Sequence, residues 1–498
     1  MKPLRWYDHI SINLFWLGLN IRNTALGSVF MPYLVDLFVR PEIRNTALGS
    51  MRTAGLIVAL LVQPAMGLLS DRSTSRFGRR RPFIFIGVLF DLVFLAAVGF
   101  SRSYWALFGA VLLLQVSSNV SHGPLQGLIP DLVPEKLRGR ASGVKAFFEL
   151  VPLVLIAFTV AKLVADRQLG WAIVLTGVGL LATMLLTLVL VKEEPLREKP
   201  AGSISGPMMR VLGVLAGILA GGAAGFVAGG IVGGLVALPA WALAGEGAAK
   251  VLGFGVGGLV AMVVAVVVGV WGGALATLGQ DARRHSPFTW WIVNRLLFLA
   301  AATSIQGFAP YFLMSAFGLN REAAIDLNAS LMLVVGLLTL LAALPGGWLA
   351  DRLGSRRLTG ISGLIATGGT GLLLITVLVP NLTLMYVAGS VIGLGAGLFM
   401  TTNWALGTEL APREESGRYL GISNLAGAGA GMIGAGIGGP VADLISGVRP
   451  GLGYFAIFAA YAVLFLLSTV SLARVRVPAP GASAPGTGNP EKGLSGAG

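Results

Sequence analysis

The sequence predicts an all-α polytopic membrane protein of two six-helix halves with a two-helix hairpin inserted between them. Three observations predict it: apolar windows of membrane-crossing length, charge confined largely to the gaps between them, and polar motifs that repeat at nearly one offset.

The windows come first. Residues are 55% hydrophobic and 12% charged, whereas soluble domains carry about 25% charged residues, so a water-soluble fold is excluded. Stretches of about 20 apolar residues, the length that crosses roughly 30 Å of hydrocarbon, begin near residues 12, 47, 83, 105, 141, 169, 211, 251, 288, 325, 357, 382, 417 and 451. That gives fourteen predicted spans. In lipid every backbone N–H and C=O must be paired within the protein, and no period-2 alternation is present, so the spans are helices rather than barrel strands. Residues 477–498, rich in Pro, Gly, Ala and Ser, read as a disordered tail.

The charge comes second. A net charge of +14 would suggest nucleic acid in a soluble protein, but here the basic residues separate apolar spans and form no continuous basic face. Of the 36 Lys and Arg, 24 fall on the side that holds both termini and the loop at 71–82, nine on the other side and three inside spans. The positive-inside rule therefore puts both termini in the cytoplasm and the chain in the cytoplasmic (inner) membrane. Met1 to Arg5 lead into an uncleaved first helix, because no small-residue cleavage site follows. The absence of Cys excludes disulfides and thiolate metal sites, and His9, His122 and His285 are too scattered for a metal cluster. No metal and no cofactor is expected.

The repeat comes third. Gly67-Leu-Leu-Ser-Asp71-Arg72 returns as Gly347-Trp-Leu-Ala-Asp351-Arg352, 280 residues later; Asp131-Leu-Val-Pro134 with Gly139-Arg140 returns as Glu409-Leu-Ala-Pro412 with Gly417-Arg418, at 278; Pro32-Tyr33 returns as Pro310-Tyr311, also at 278. Shared offsets imply duplicated halves: 1–200 and 286–476, with 201–285 inserted. In that insertion Gly213, Gly217, Gly221, Gly225, Gly229 and Gly233 recur every four residues, and Gly253, Gly257, Ala261, Ala265, Gly269 and Gly273 do likewise. Small residues at this spacing let helix backbones touch, which drives pairing in lipid. The insertion is expected to be a peripheral glycine-zipper hairpin that mediates stability or association and leaves the solute path alone. An identical octapeptide, Ile21–Ser28 and Ile43–Ser50, has no physical explanation in the sequence.

Gly67 to Arg72 with Gly78-Arg79-Arg80-Arg81-Pro82, and the weaker copy at Gly347 to Arg357, resemble the loop signature of the major facilitator superfamily. Within it the motif is most similar to the sucrose and glycoside-pentoside-hexuronide cation symporters. The resemblance covers all but the hairpin and the tail. It implies two halves that rock about a midplane site, giving alternating access, with Gly67, Asp71, Arg72, Gly78, Arg79, Gly347, Asp351 and Arg352 as the switch. Gly67 is expected to allow close helix approach, and Asp71 to bond a helix N-terminus across the interface between the halves. The Arg cluster holds the loop in the cytosol. The second span has no Asp between Thr46 and Ser70, so the sodium site of some glycoside symporters is missing and proton coupling is expected instead. The fourth span lacks the Arg, and the fifth the Gly-Pro, of drug and proton antiporters.

Ionisable groups inside apolar spans cost about 2.5–3.5 kcal/mol each on insertion scales, which makes them site candidates. Arg22, beside Asn20 and Asn23, faces either a solute or an acidic partner, and Asp91 is either a proton site or that partner. Lys145 and Glu149, four apart, can pair on one helix face. Arg295 is a further candidate. Gln115, Asn119 and His122 form one stripe at i, i+4 and i+7, for solute contact or interhelical bonding. Gln306, Tyr311, Asn403 and Trp404 supply the polar and aromatic surface that sugars favour. Substrate binding is thus expected at Asn20, Arg22, Asn23, Asn119, His122, Gln306, Tyr311, Asn403 and Trp404, and proton coupling at Asp91, Lys145 and Glu149. The expected function is proton-coupled symport of a sugar-like solute. An exporter of drugs or metabolites, or a non-transporting assembly factor of the same fold, are the alternatives. Enzyme motifs are missing: no His-Glu-x-x-His, no Ser-centred elbow, no phosphate-binding Gly-Lys-Ser/Thr loop.

Overall fold

The structure is a computed structural model, and it describes residues 5–134, 137–193, 195–196, 205–410 and 416–476. The expected tail at 477–498 and part of the repeat around Pro412 lie outside them. The described elements are helices. The first crossing combines α1 (Trp6–Ala25), a π-helical turn at Leu26–Phe30 and α2 (Met31–Phe38). There follow α3 (Arg44–Asp71), α4 (Arg81–Gly99), α5 (Tyr104–Gln126), the short α6 (Leu128–Leu132), α7 (Arg138–Phe158) with α8 (Val160–Ala165), and α9 (Leu169–Leu190). After α10 (Ser205–Leu278) and the single turn α11 (Asp281–Arg284) come α12 (Ser286–Phe317), α13 (Arg321–Leu353), α14 (Ser355–Leu378), α15 (Leu382–Leu410), α16 (Ser416–Ser446) and α17 (Leu452–Ser471).

Among the described residues eleven helices are long and apolar enough to cross a membrane. α1 and α16 are not among the eleven, and α10 counts once although its chain reverses at Gly245, where φ is 82° and ψ −176°. Only glycine adopts that conformation readily. The two arms of α10 lie antiparallel in backbone contact: a Cβ at Gly221 would meet the Ala265 carbonyl oxygen at 2.6 Å, and one at Gly229 the Gly257 carbonyl oxygen at 2.5 Å.

The first arm is peripheral, with Phe226, Leu235, Leu238, Trp241 and Leu243 exposed. The second arm is not. Met262, Ala265, Val266 and Val270 belong to the main apolar core, and Gly258 packs so closely on α16 that a Cβ there would stand 2.7 Å from Val441. The expectation of a wholly peripheral insertion is corrected in that respect: one face of the second arm is apolar and fills a groove along α16, α12 and α17.

The core itself divides unevenly. One cluster joins Val29, Phe30, Leu34, Leu48 and Met51 of the first half to Phe308, Phe312, Tyr454 and Phe458 of the second. At the opposite end, Phe15, Trp16, Ile84, Val88, Leu180 and Met184 form a separate cluster confined to the first half. Among the described residues the halves therefore share apolar packing at the end away from the Arg-rich loop, and the cluster at the loop end belongs to the first half alone.

Candidate functional site

Polar contacts divide in the same way. At the end away from the loop, which we call the latch, Asp36 on α2 takes Arg44 at 2.9 Å and Arg321 of α13 at 2.7 Å. The Arg44 guanidinium also donates to the Tyr311 carbonyl at 3.3 Å, and the Tyr311 hydroxyl to the Pro32 carbonyl at 2.9 Å. Asp443 of α16 accepts three bonds of 2.7 Å, from the Asn45 amide and from the backbone N–H and hydroxyl of Thr46. Arg167–Glu322 at 3.3 Å and Lys162–Asp326 at 3.9 Å add exposed bridges between the halves. The α3–α16 crossing is close because α16 carries glycine: a Cβ at Gly439 would meet the Asn45 carbonyl carbon at 2.9 Å, and one at Gly431 the Leu56 side chain at 2.9 Å.

At the loop end every described bond of the switch motif stays within its own half. Asp71 pairs with Arg80 at 2.7 Å, and Arg80, 5% exposed, also holds Asp131 at 2.5 Å. Arg79 pairs with Asp131 as well, and Glu193 accepts the backbone N–H of Arg80 and Arg81 at 3.0 and 3.2 Å. In the second half Glu409, the counterpart of Asp131, accepts the Ser355 hydroxyl at 2.6 Å. Among the described residues Asp71 bonds only within its own half, not across the interface. Gly67 is corrected too. A Cβ there would sit at an ordinary 3.7 Å from Gly123, whereas one at Gly123 would stand 2.9 Å from the Gly67 nitrogen, so Gly123 is the position that cannot grow. Gly78 needs its missing side chain, with φ at 101° and Glu193 packed against it. Gly347 meets no neighbour, Arg352 lies over the Trp348 ring at 3.9 Å, Arg72 is half-buried, and the Asp351 side chain lies outside the described residues.

Between latch and loop lies the polar interior. Arg22 and Asp91 are both fully buried and pair at 3.5 Å, and the Ser117 hydroxyl donates to Asp91 at 2.8 Å. Of the two readings of Arg22, the ion pair is the one formed. Lys145 and Glu149 pair at 3.4 Å on a partly exposed face of α7, and Lys145 stands 4.0 Å over the Trp16 ring, whose edge meets His122. Asn119 turns back to the Gln115 carbonyl at 2.7 Å and is buried; Gln306 is half-buried. Asn20 is half-buried and bonds the Trp16 carbonyl, while Asn23 is exposed. Tyr311 and Asn403 do not line an open surface. Tyr311 is fully buried in the latch, and Asn403 bonds Asn294 at 2.7 Å and accepts from Arg295 at 3.0 Å. Arg295 also stands 5.3 Å over the half-buried Trp404.

Four residues that organise these ends escaped the sequence reading. Arg80 was quoted within the loop signature without a role of its own, Glu193 was hidden among topogenic charges, and Asp443 near the end of an apolar span drew no notice. Arg52 was not singled out. It lies within α3, donates to the Gly27 carbonyl, and rests against Gly307 of α12.

The Major Facilitator Superfamily profile matches residues 17–305 and 291–495. The chain belongs to that superfamily. It is a multi-pass membrane protein of a transporter family, not an enzyme. Among curated relatives, it is 33% identical over 112 residues to the sucrose transport protein SUC3 of Arabidopsis thaliana, covering 18% of this chain and 19% of that protein. It is 32% identical over 127 residues to the sucrose transport protein SUT3 of Oryza sativa subsp. indica, covering 21% and 24%. The chain thus spans about a fifth to a quarter of the length of these relatives. Solved structures share the fold: the POT family transporter PepTSo, with a TM-score of 0.63 at 13% identity over 94% of this chain and 98% of that one, and a bacterial homologue of the lysosomal transporter Spinster, with 0.58 at 14% over 96% and 99%.

Proposed function

We propose that this chain is a secondary active transporter of a small sugar-like solute, coupled to protons, and that the structure captures it closed at the periplasmic latch and open to the cytoplasm. One observation carries the reading: among the described residues, bonds between the halves gather at one end, while at the other the Arg80 and Glu409 networks each serve a single half. Alternating access requires such an asymmetry, since a path open at one end must be sealed at the other. The positive-inside rule assigns the Arg-rich end to the cytoplasm, and with it both termini. Sucrose transport proteins among the relatives favour a sugar-like solute. The fold reading that accompanies this is fourteen spans: halves at 1–200 and 286–476, and the two arms of α10 within 201–285 as a glycine-zipper hairpin. The charged turn supports a hairpin tip in water, where Lys250 bonds Glu246 at 2.5 Å and holds its carboxyl below the usual range. Asn20, Asn23, Gln306 and Trp404 line the solute path in this reading. Asp91, held by Arg22 and Ser117, and the Lys145–Glu149 pair are the proton-handling groups.

The test is flux into vesicles reconstituted with the purified protein. An inward proton gradient should drive uptake of a sugar-like solute from a panel, and Asp91→Asn should uncouple uptake from the gradient. A folded protein that moves no member of the panel in either direction would instead fit the assembly-factor reading.

A further inference from the structure

Arg52 and Arg295 approach the interior from opposite ends. Arg52 lies about 8 Å toward the latch from the midpoint of α3, and Arg295 about 10 Å toward the loop from the midpoint of α12, at 1.5 Å per residue. Arg52 sits where three helices meet: it donates to the Gly27 carbonyl and rests against Gly307. One turn below that contact, Asn23 on the Gly27 face of α1 and Thr303 on the Gly307 face of α12 are both exposed. Exposed polar side chains at this depth, on faces that meet between the halves, mark a water-filled cavity beneath Arg52 rather than lipid. Lower down, Lys145 and Glu149 of the first half pair on a partly exposed face of α7, and Glu149 is the acid that acts electrostatically on Arg295 of the second half.

The charges there do not balance. Arg22 is neutralised by Asp91. Among the described residues Lys145 and Arg295 have one carboxylate between them, that of Glu149, and Arg52 has none. The Arg295 Nε is buried without a hydrogen-bond partner. Arg52 bonds a neutral carbonyl, and no acid stands in its contacts. We infer that the cavity between Arg52 and Arg295 binds an anion, so that the solute is a small polyhydroxy compound carrying a carboxylate or phosphate group. A guanidinium held by neutral partners in a confined, low-dielectric space attracts an oxyanion strongly and offers it paired N–H donors. The hydroxyls would meet Asn20, Asn23 and Thr303. This rests on the transporter reading only in calling the ligand a solute.

The chain has no Cys, so Asn23→Cys places a single reporter thiol in the cavity. Its reaction rates with an anionic methanethiosulfonate (the ethylsulfonate) and a cationic one (the ethyltrimethylammonium), each divided by the rate for free β-mercaptoethanol, report the local field. The anionic reagent should be favoured about tenfold, in line with focusing in charged clefts. Arg52→Gln with Arg295→Gln should bring the ratio back toward one, while Arg52→Lys with Arg295→Lys keeps it. Protection then separates the ligand classes. Gluconate against sorbitol, and glucose 6-phosphate against glucose, differ chiefly in the acidic group, and at least one acid should slow labelling where its neutral partner does not. A ratio unmoved by the Gln pair, equal protection by a neutral partner, or protection by neither acid overturns the inference. Vesicle flux keeps the two readings apart: a protecting acid that is never transported leaves the anion site standing and removes the transporter reading, while equal flux of acid and neutral partner does the reverse.

Discussion

At the residue scale the sequence announced which side chains were costly, and the structure shows what each is spent on. Arg80 holds Asp71 and Asp131 together while almost wholly buried. Arg80→Gln leaves two carboxylates without their cation, and removing one member of such a set costs about 3 kcal/mol or more. The variant should melt clearly below the parent in a thermal-shift assay, whereas Arg76→Gln, on an exposed loop residue, should not. Asp71, nearly half exposed, plays the lesser structural part. If Asp71 belongs to the proposed switch and not to the site, Asp71→Asn should keep expression and solute affinity and lose most of the transport rate; unchanged flux would contradict this. Pairs four apart, such as Lys145 and Glu149, were legible because helix geometry alone brings them together. Arg52 was not, because its partners, the Gly27 carbonyl and Gly307, lie on other helices and nothing beside it in the sequence marks the contact. That Tyr311 and Asn403 are buried against other helices was not legible for a related reason. In lipid the outward and inward faces of a span are both apolar, so polarity does not reveal which face meets a partner helix.

At the scale of elements the glycine ladders of α10 were readable from their four-residue spacing, and the arms do meet along them. Their tolerance differs position by position. A Cβ at Gly221 would strike Ala265 and Gly269 of the other arm, while Gly222, next in the chain, meets nothing within 4 Å. Gly221→Leu should lower the melting temperature by several degrees and Gly222→Leu should leave it nearly unchanged; equal effects would mean the arms do not pair as described. The packing of the second arm on α16 was not readable, since Gly258 and Val441 lie far apart in sequence and neither stands out locally. It changes what deletion of 205–280 should do. The loss would uncover Val441 and its apolar neighbours on α16, so the shortened chain should be markedly less stable than the parent, and a deletion that melts at the parental temperature would put α10 outside the core after all.

At the scale of the whole molecule the duplication was the most legible feature, because motifs copied at a near-constant offset survive divergence of everything between them. The conformational state was invisible, because the same sequence must support closure at either end. The latch holds the described state through Asp36 and Asp443, and hydrogen bonds to a charged group contribute about 1.5–3 kcal/mol each. In the proposed alternating-access cycle these bonds break at every turnover. Weakening them should therefore shift the population toward the state open at the latch and closed at the loop. The measurement that tests this most directly is a pair of spin-label distances in liposomes, which the Cys-free sequence permits without prior substitutions. One pair, Arg102→Cys with Val379→Cys, spans the latch, and the other, Phe77→Cys with Leu353→Cys, spans the loop end. On adding Asp36→Asn and Asp443→Asn the latch distance should lengthen while the loop distance shortens. Two distances that stay fixed, or that lengthen together, would contradict alternating access about this interior.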